Sequence, residues 1–172
     1  MKLRNLKIDD AKPMLEWMHD IELCAKLRTD FARKTLSDCV KFIEDAESDM
    51  HFVHFAIVDD DDEYMGTVSL KNISFDESFA EFGIVVRRCA MGKGYSIFGM
   101  REIIQYGFFG LKLKNIYWCV SKHNIRACKF YNKHGFHTVE LKDIPKSIRE
   151  KYKNDLNLIW YEVKQDEFVR ID

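Results

Sequence analysis

The stretch Ala80-Glu81-Phe82-Gly83-Ile84-Val85-Val86-Arg87-Arg88-Cys89-Ala90-Met91-Gly92-Lys93-Gly94-Tyr95-Ser96 decides how this chain folds. Its first part, through Val86, is apolar and strand-like. A loop with glycines at 92 and 94 follows. From about Ser96 the apolar residues Ile97, Met100, Ile104 and Phe108 recur at offsets of three, four and four, which predicts an amphipathic helix to about Phe109. That order brings free backbone N–H groups to a helix N-terminus, where the loop and the helix dipole both favour an anion. Gly92 and Gly94 allow a tight turn and let the backbone approach a phosphate with no Cβ in the way. A diphosphate-bearing cofactor is the natural ligand. A Walker loop would require G-x-x-x-x-G-K-[ST], and Gly92-Lys93-Gly94 does not end that way. A Rossmann fingerprint would require a third glycine where Ile97 stands, in a loop that normally follows the first strand. Taken alone, so short a glycine pair is as readily a structural turn.

Outward from this stretch, the pattern gives strands at about 51–58, 64–73 and 78–86, and before them a short strand Lys2 to Leu6. A helix is expected from Asp9 or Asp10, with Leu15 and Met18 on its apolar face. A second starts at Thr35, where Thr35 and Asp38 form a capping box with Asp in place of Glu. Its residues Leu36, Cys39, Val40 and Ile43 recur at helical spacing. After the central helix come a strand (Asn115 to Val120), a helix (about Ile125 to Lys133) and a strand from Phe136. A polar stretch of helical character then leads to a last strand, Leu156 to Val163. Helices interleaved with hairpin strands indicate a mixed α/β domain on one sheet. The acidic run Asp59-Asp60-Asp61-Asp62-Glu63 falls between two strands and reads as a solvated hairpin loop.

The bulk properties narrow the function. The 172 residues, with two prolines and no linker or repeat, suit one domain with a real core, residues 1–172. A formal net charge of −1 supplies no broad basic surface, so nucleic acid is not an expected partner. The opening MKLRNLKIDD has no apolar secretory core, and no run approaches the ~18 apolar residues of a membrane span, so neither secretion nor a membrane is expected. Five scattered cysteines, Cys24, Cys39, Cys89, Cys119 and Cys128, show no metal spacing and read as free thiols in a reducing, cytoplasmic setting. His51, His54, His134 and His137 show no metal or triad spacing either, and no metal is expected.

Two segments together resemble a known family. Met91-Gly92-Lys93-Gly94-Tyr95-Ser96 resembles motif A of the GNAT superfamily of acyl-CoA N-acyltransferases, Q/R-x-x-G-x-G/A, with Met91 for Gln or Arg and Ser96 for the small final residue. His123-Asn124-Ile125-Arg126-Ala127-Cys128-Lys129-Phe130-Tyr131-Asn132-Lys133-His134-Gly135-Phe136 resembles motif B, N-x-x-A-x-x-x-Y-x-x-x-G-F, with every fixed position present. With the first strand and helix, the resemblance covers nearly the whole chain. Its branch is similar to the ribosomal-protein alanine, spermidine and amino-sugar-nucleotide acetyltransferases.

The resemblance implies a single, mostly antiparallel sheet splayed in the middle, with helices on both faces. It implies acetyl-CoA as cofactor, its pantetheine arm lying in the gap against the strand backbone of Ile84, Val85 and Val86. The pyrophosphate would rest on the main chain of Met91, Gly92, Lys93, Gly94, Tyr95 and Ser96. Asn124 would help hold the arm, and it is also a natural helix N-cap. Lys93, Arg126 and Lys129 are candidates for the CoA phosphates. Direct attack requires a deprotonated amine, a stabilised carbonyl oxygen and a proton for the departing thiolate, whose thiol pKa is roughly 8.5. Tyr131 is the candidate acid beside the CoA sulfur, with Ala127 one turn away leaving room. Glu81 is the candidate base, because strand alternation puts Phe79, Glu81 and Val85 on one face and Phe82, Ile84 and Val86 on the other. Apolar neighbours there would raise its pKa.

The expected acceptor is the primary amine of a small molecule, an amino sugar or a polyamine-like compound. A peptide N-terminus, as in ribosomal-protein acetylation, and a silent acyl-CoA-sensing domain remain the alternatives. Homodimerisation is left open. In this family acceptor choice comes from the segments that are here about His19–Lys34 and Leu141–Asn154, with Trp17 and Phe31 as candidate pocket aromatics.

Overall fold

The computed structural model describes residues 1–168. Seven strands form one sheet in the order β1-β2-β3-β4-β5-β7-β6. The first four, β1 (Lys2–Asn5), β2 (Val53–Val58), β3 (Tyr64–Ser74) and β4 (Phe79–Val86), pair antiparallel in sequence. β5 (Asn115–Ser121) joins β4 in parallel, and β7 (Leu158–Lys164) lies antiparallel between β5 and β6 (His137–Val139). The sheet is mixed and mostly antiparallel, as the resemblance implies.

The expected elements fall within a few residues of their places. α1 (Ala11–Met18) buries Met14, Trp17 and Met18, a wider face than Leu15 and Met18 alone. α3 (Leu36–Asp45) starts with the capping box: the Thr35 hydroxyl accepts from the Asp38 amide at 3.2 Å, and the Asp38 carboxylate accepts from the Thr35 amide at 2.7 Å. A four-residue helix, α2 (Ile21–Cys24), precedes it and left no periodic signal. α4 (Tyr95–Gln105) is shorter than its apolar spacing suggested, because the chain widens over Tyr106–Gly110 into a turn closed from the Leu111 amide to the Tyr106 carbonyl. α5 (Ile125–Lys133) falls on its expected range, and the polar stretch contains α6 (Lys146–Tyr152). A last helical turn, α7, spans Gln165–Phe168.

The helices divide between the sheet faces as strand alternation requires. Phe82, Ile84 and Val86 pack into the core that holds Met100, Ile103 and Ile104 of α4 and Tyr131 of α5. On the other face Val85 packs with α1 and α3, while Phe79 joins Tyr117, Ile148, Tyr152 and Trp160. An irregularity in β3 sets which side chains reach Glu81. The register of β3 with β4 shifts between Lys71 and Ser74, and Asn72 has φ +49°. The extra residue lets Leu70 and Ile73, three apart, both enter the α4-side core, while Lys71 and Asn72 both reach Glu81 on the opposite face.

The acidic loop is less solvated than its composition suggested. Asp62 binds Lys2, Arg4 and Lys7 of the first strand and its exit, and Glu63 receives Arg87 at 2.6 Å.

Candidate active site

β4 and β5 share only three backbone pairs, Phe79 with Asn115, Ala80 with Ile116 and Glu81 with Tyr117. Beyond Glu81, β4 continues to Val86 on β3 alone, and β5 continues to Ser121 on β7 alone. A parallel pair that stops this early leaves a wedge, and Ile84, Val85 and Val86 line one side of it with unpaired backbone.

The wedge opens toward the start of α4. Gly92 and Gly94 have φ of +77° and +90°, a region that side chains other than glycine enter at a cost. Gly94 is the residue immediately before α4, so the first-turn N–H groups of Tyr95, Ser96 and Ile97 lack helical partners. A Cβ at Gly92 would meet nothing within 4 Å, and one at Gly94 only the Met1 methyl at 3.8 Å. The loop thus offers main-chain donors beneath open space, which fits a pyrophosphate. The guanidinium of Arg126 lies 2.8 Å from the Met91 sulfur, tying the start of α5 to this loop. Lys93, within the loop, and Lys129, on α5, are both exposed. Asn124 caps α5, its side-chain oxygen accepting from the Ala127 amide at 3.2 Å.

Tyr131 projects from α5 among aromatic rings: Trp118 at 5.3 Å, Tyr161 at 5.0 Å and Phe130 at 5.3 Å between centroids. It is only 8% exposed, and burial, foremost, pushes its phenol above the ordinary tyrosine value. Among the described residues its hydroxyl has no hydrogen-bond partner, whereas that of Tyr161 donates to Asn132 at 3.2 Å.

Glu81 is 3% exposed, which removes the reading of a glutamate on a wet sheet face. Its surroundings, however, are not the apolar ones expected from the strand pattern. The Tyr152 hydroxyl donates to Oε1, the Asn72 amide donates to Oε2 at 2.7 Å, and the ammonium groups of Lys151 and Lys71 stand at 3.5 and 3.8 Å. A carboxylate this deep is stable because it is hydrogen-bonded and paired. Burial first, and then the Glu81 carboxylate, raises the Tyr152 phenol. Burial and the Glu81 charge also push the Cys119 thiol on β5 up to about 11, with Arg28 and Lys71 pulling the other way. Tyr131 packs into the core on the α4 side of the sheet, and Glu81 meets Tyr152 on the opposite face.

The two segments expected to choose the acceptor do meet here. Arg28, from the first, stacks on the Tyr152 ring at 4.3 Å and pairs with Asp155 at 3.1 Å. Trp17 is instead a core residue: it is 5% exposed, donates to the Tyr64 hydroxyl at 3.1 Å and packs edge-on against Phe31. Asn72, Lys71, Tyr152 and Arg28 carried no motif, and only the register of the folded sheet brings them to Glu81. His54 and His51 bond to the Ser69 hydroxyl and the Ile73 carbonyl, and among the described residues no His/Cys/Asp/Glu cluster could hold a metal. No helix among them is long and apolar enough to cross a membrane.

A wedge beside a glycine-capped helix, with the buried carboxylate of Glu81 at the last β4–β5 pair, fits an acyl-CoA-dependent transferase. Residues 1–137 match the family model described as an acetyltransferase (GNAT) domain, and the chain belongs to that family. It is 32% identical over 143 residues to the spermidine N(1)-acetyltransferase of Escherichia coli K12, covering 79% of this chain and 72% of that protein. It is 27% identical over 141 residues to an uncharacterized N-acetyltransferase of Bacillus licheniformis, covering 79% and 78%. The fold is that of the Vibrio cholerae spermidine N-acetyltransferase solved with CoA and spermine, with TM-score 0.79, 18% identity, and 98% and 97% of the two chains covered. The protein is an acetyl-CoA-dependent N-acetyltransferase.

Proposed function

We propose that this enzyme acetylates the primary amine of a small molecule by direct attack, with Glu81 serving the acceptor side and Tyr131 the leaving-group side. The observation that carries this reading is the parting of β4 from β5 immediately after Glu81, beside the loop that ends in Gly94. Acetyl-CoA, when bound, supplies the activated thioester. The backbone of Ile84–Val86 and the amides of Met91–Ser96 would hold it, with Asn124 at the start of α5.

An amine in water at neutral pH carries a proton that it must lose before it can attack. Glu81, fixed by Asn72 and Tyr152, accepts that proton directly or through a water. Tyr131 keeps its own proton throughout the neutral range because burial disfavours the phenolate, so it can donate to the departing thiolate. The low exposure of both groups restricts water near the reacting atoms, which strengthens each interaction.

The relatives named for spermidine bring polyamines into the acceptor class, and the motif resemblance brings amino sugars. A cytoplasmic location belongs to the same reading, supported by five cysteines that are all free thiols. The test is thiol release from acetyl-CoA against a panel of polyamines, amino sugars, amino acids and N-terminal peptides. Release with a small amine is the expected result. A thermal shift with acetyl-CoA but no release with any acceptor would instead identify a sensing domain.

A further inference from the structure

The charges around Glu81 narrow which amines can enter. Three cations converge on this cleft: Lys71, Lys151 and Arg28. The carboxylates that pair with them directly, Glu81 and Asp155, are both engaged, Glu81 by two hydrogen bonds and two ammonium groups and Asp155 by Arg28. The cations, by contrast, keep reach to spare. The side chains of Lys71, Lys151 and Arg28 are 35%, 50% and 40% exposed, against 4% for Glu81. An ammonium has three donors and a guanidinium five, so these contacts leave several unused.

Position matters as much as number. Lys71 pairs with Glu81 in the β3–β4 register, and its ammonium lies 3.1 Å from where a Cβ on Gly83 would stand. Gly83 is the second residue past the last β4–β5 pair, so this charge sits over the strand where the wedge begins. Arg28 reaches the same cleft by stacking at 4.3 Å on the ring of Tyr152, whose hydroxyl donates to Glu81. A bare polycation entering between Lys71 and Arg28 would meet two like charges, an arrangement that disfavours it.

We propose that the acceptor carries an anionic group, a carboxylate or a phosphate, near the amine it presents, and that Lys71 and Arg28 bind that group. This rests on acetyl transfer to a small amine and separates amino acids and phosphorylated amino sugars from unadorned polyamines. The anion would lie between Lys71 and Arg28, leaving the amine toward Glu81.

Matched pairs that differ only in the anion provide the test: ornithine against putrescine, lysine against cadaverine, and glucosamine 6-phosphate against glucosamine. The anionic member of at least one pair should have a kcat/KM higher by about tenfold or more, chiefly through KM, as two ion pairs in a partly dry cleft warrant. Comparing the pairs distinguishes a carboxylate from a phosphate. Lys71→Gln should erase most of that preference, and Arg28→Gln should do the same independently. The acetyl-CoA-induced thermal shift of each variant, equal to that of the parent, shows that it has folded and binds its donor. A higher kcat/KM for the uncharged or polyamine members, or a preference that survives both substitutions, would overturn the proposal while leaving amine acetylation intact. Absence of thiol release with every amine would instead remove the acetyl-transfer reading, and this inference with it.

Discussion

Replacing Tyr131 by Phe isolates one proton. The ring of Tyr131 packs on Trp118, Tyr161 and Phe130, and phenylalanine keeps all of those contacts. No hydrogen bond to the hydroxyl is lost among the described residues, so stability should change by no more than ~0.5 kcal/mol, a melting shift within about 2 °C for a chain of this size. Catalysis should respond very differently. If the phenol protonates the departing thiolate, kcat should fall by roughly 10²–10³, equivalent to ~2.7–4.1 kcal/mol of barrier. Affinity for CoA should stay within about twofold, because in the proposed site strand and loop amides would make most of its contacts. The pH profile adds an independent check. Burial holds the phenol above its ordinary value, so the parent enzyme should lose no activity to Tyr131 ionisation below about pH 10. The assays are steady-state thiol release with the best acceptor and calorimetric titration with CoA. Full activity in Tyr131→Phe would refute the assignment and leave water or substrate as the acid. Equal losses in CoA affinity and rate would reduce Tyr131 to a binding contact.

Gly94→Ala puts a side chain at φ +90° with nothing nearer than the Met1 methyl, so the cost is backbone strain of ~1–2 kcal/mol, read as a lower melting temperature. The same variant should lose most of the thermal shift given by acetyl-CoA, and a full shift would place the pyrophosphate elsewhere. His54 is half-buried, and desolvation, foremost, with the charge of Lys71 lowers its pKa to about 4 against 6.5 in the unfolded chain. Its contribution is therefore complete above pH 6.5 and lost as the pH falls toward 4, by ~2 kcal/mol once solvent screening is allowed for. Denaturant titrations of the parent and of His54→Gln across pH 4–7 should show a flatter slope in the variant. Thr35→Ala removes one half of the α3 capping box and should cost ~1 kcal/mol in the same titrations, with thiol release unaffected.

What the sequence discloses, it discloses through local rules. Glycines at 92 and 94 mark a turn that only a positive φ can make, Thr35 and Asp38 are three apart because a helix start needs them there, and Asn124 to Phe136 keeps a whole helix and its exit in one pattern. The proposed donor side of the site is built almost entirely from such segments. The acceptor side is not. Glu81 was legible as a residue, but its surroundings come from the β3 irregularity at Asn72, from Tyr152 on α6, and from Arg28 reaching Asp155, 127 residues along the chain. None of these has a periodic signal, since each depends on strand register or on distant packing. Lys71 looked like any strand lysine. The four residues of α2 are too few for a period to show, and the widened turn after α4 leaves the apolar spacing of Phe108 unchanged while breaking the helix beneath it.

The three backbone pairs that join β4 to β5 also make the molecule two leaves on a narrow spine. One leaf, β1 to β4, owns the donor loop; the other, β5 to β7, carries α5 and the partners that α6 brings to Glu81. α6 packs with Phe79, Tyr117 and Trp160 on the face away from α4, so substitutions in α6 reach the surroundings of Glu81 first. The family model ends at residue 137, just before the segment that supplies α6 and β7. Grafting that segment from a relative should therefore alter the wall around Tyr152 while Lys71 and Arg28 remain the recipient's own.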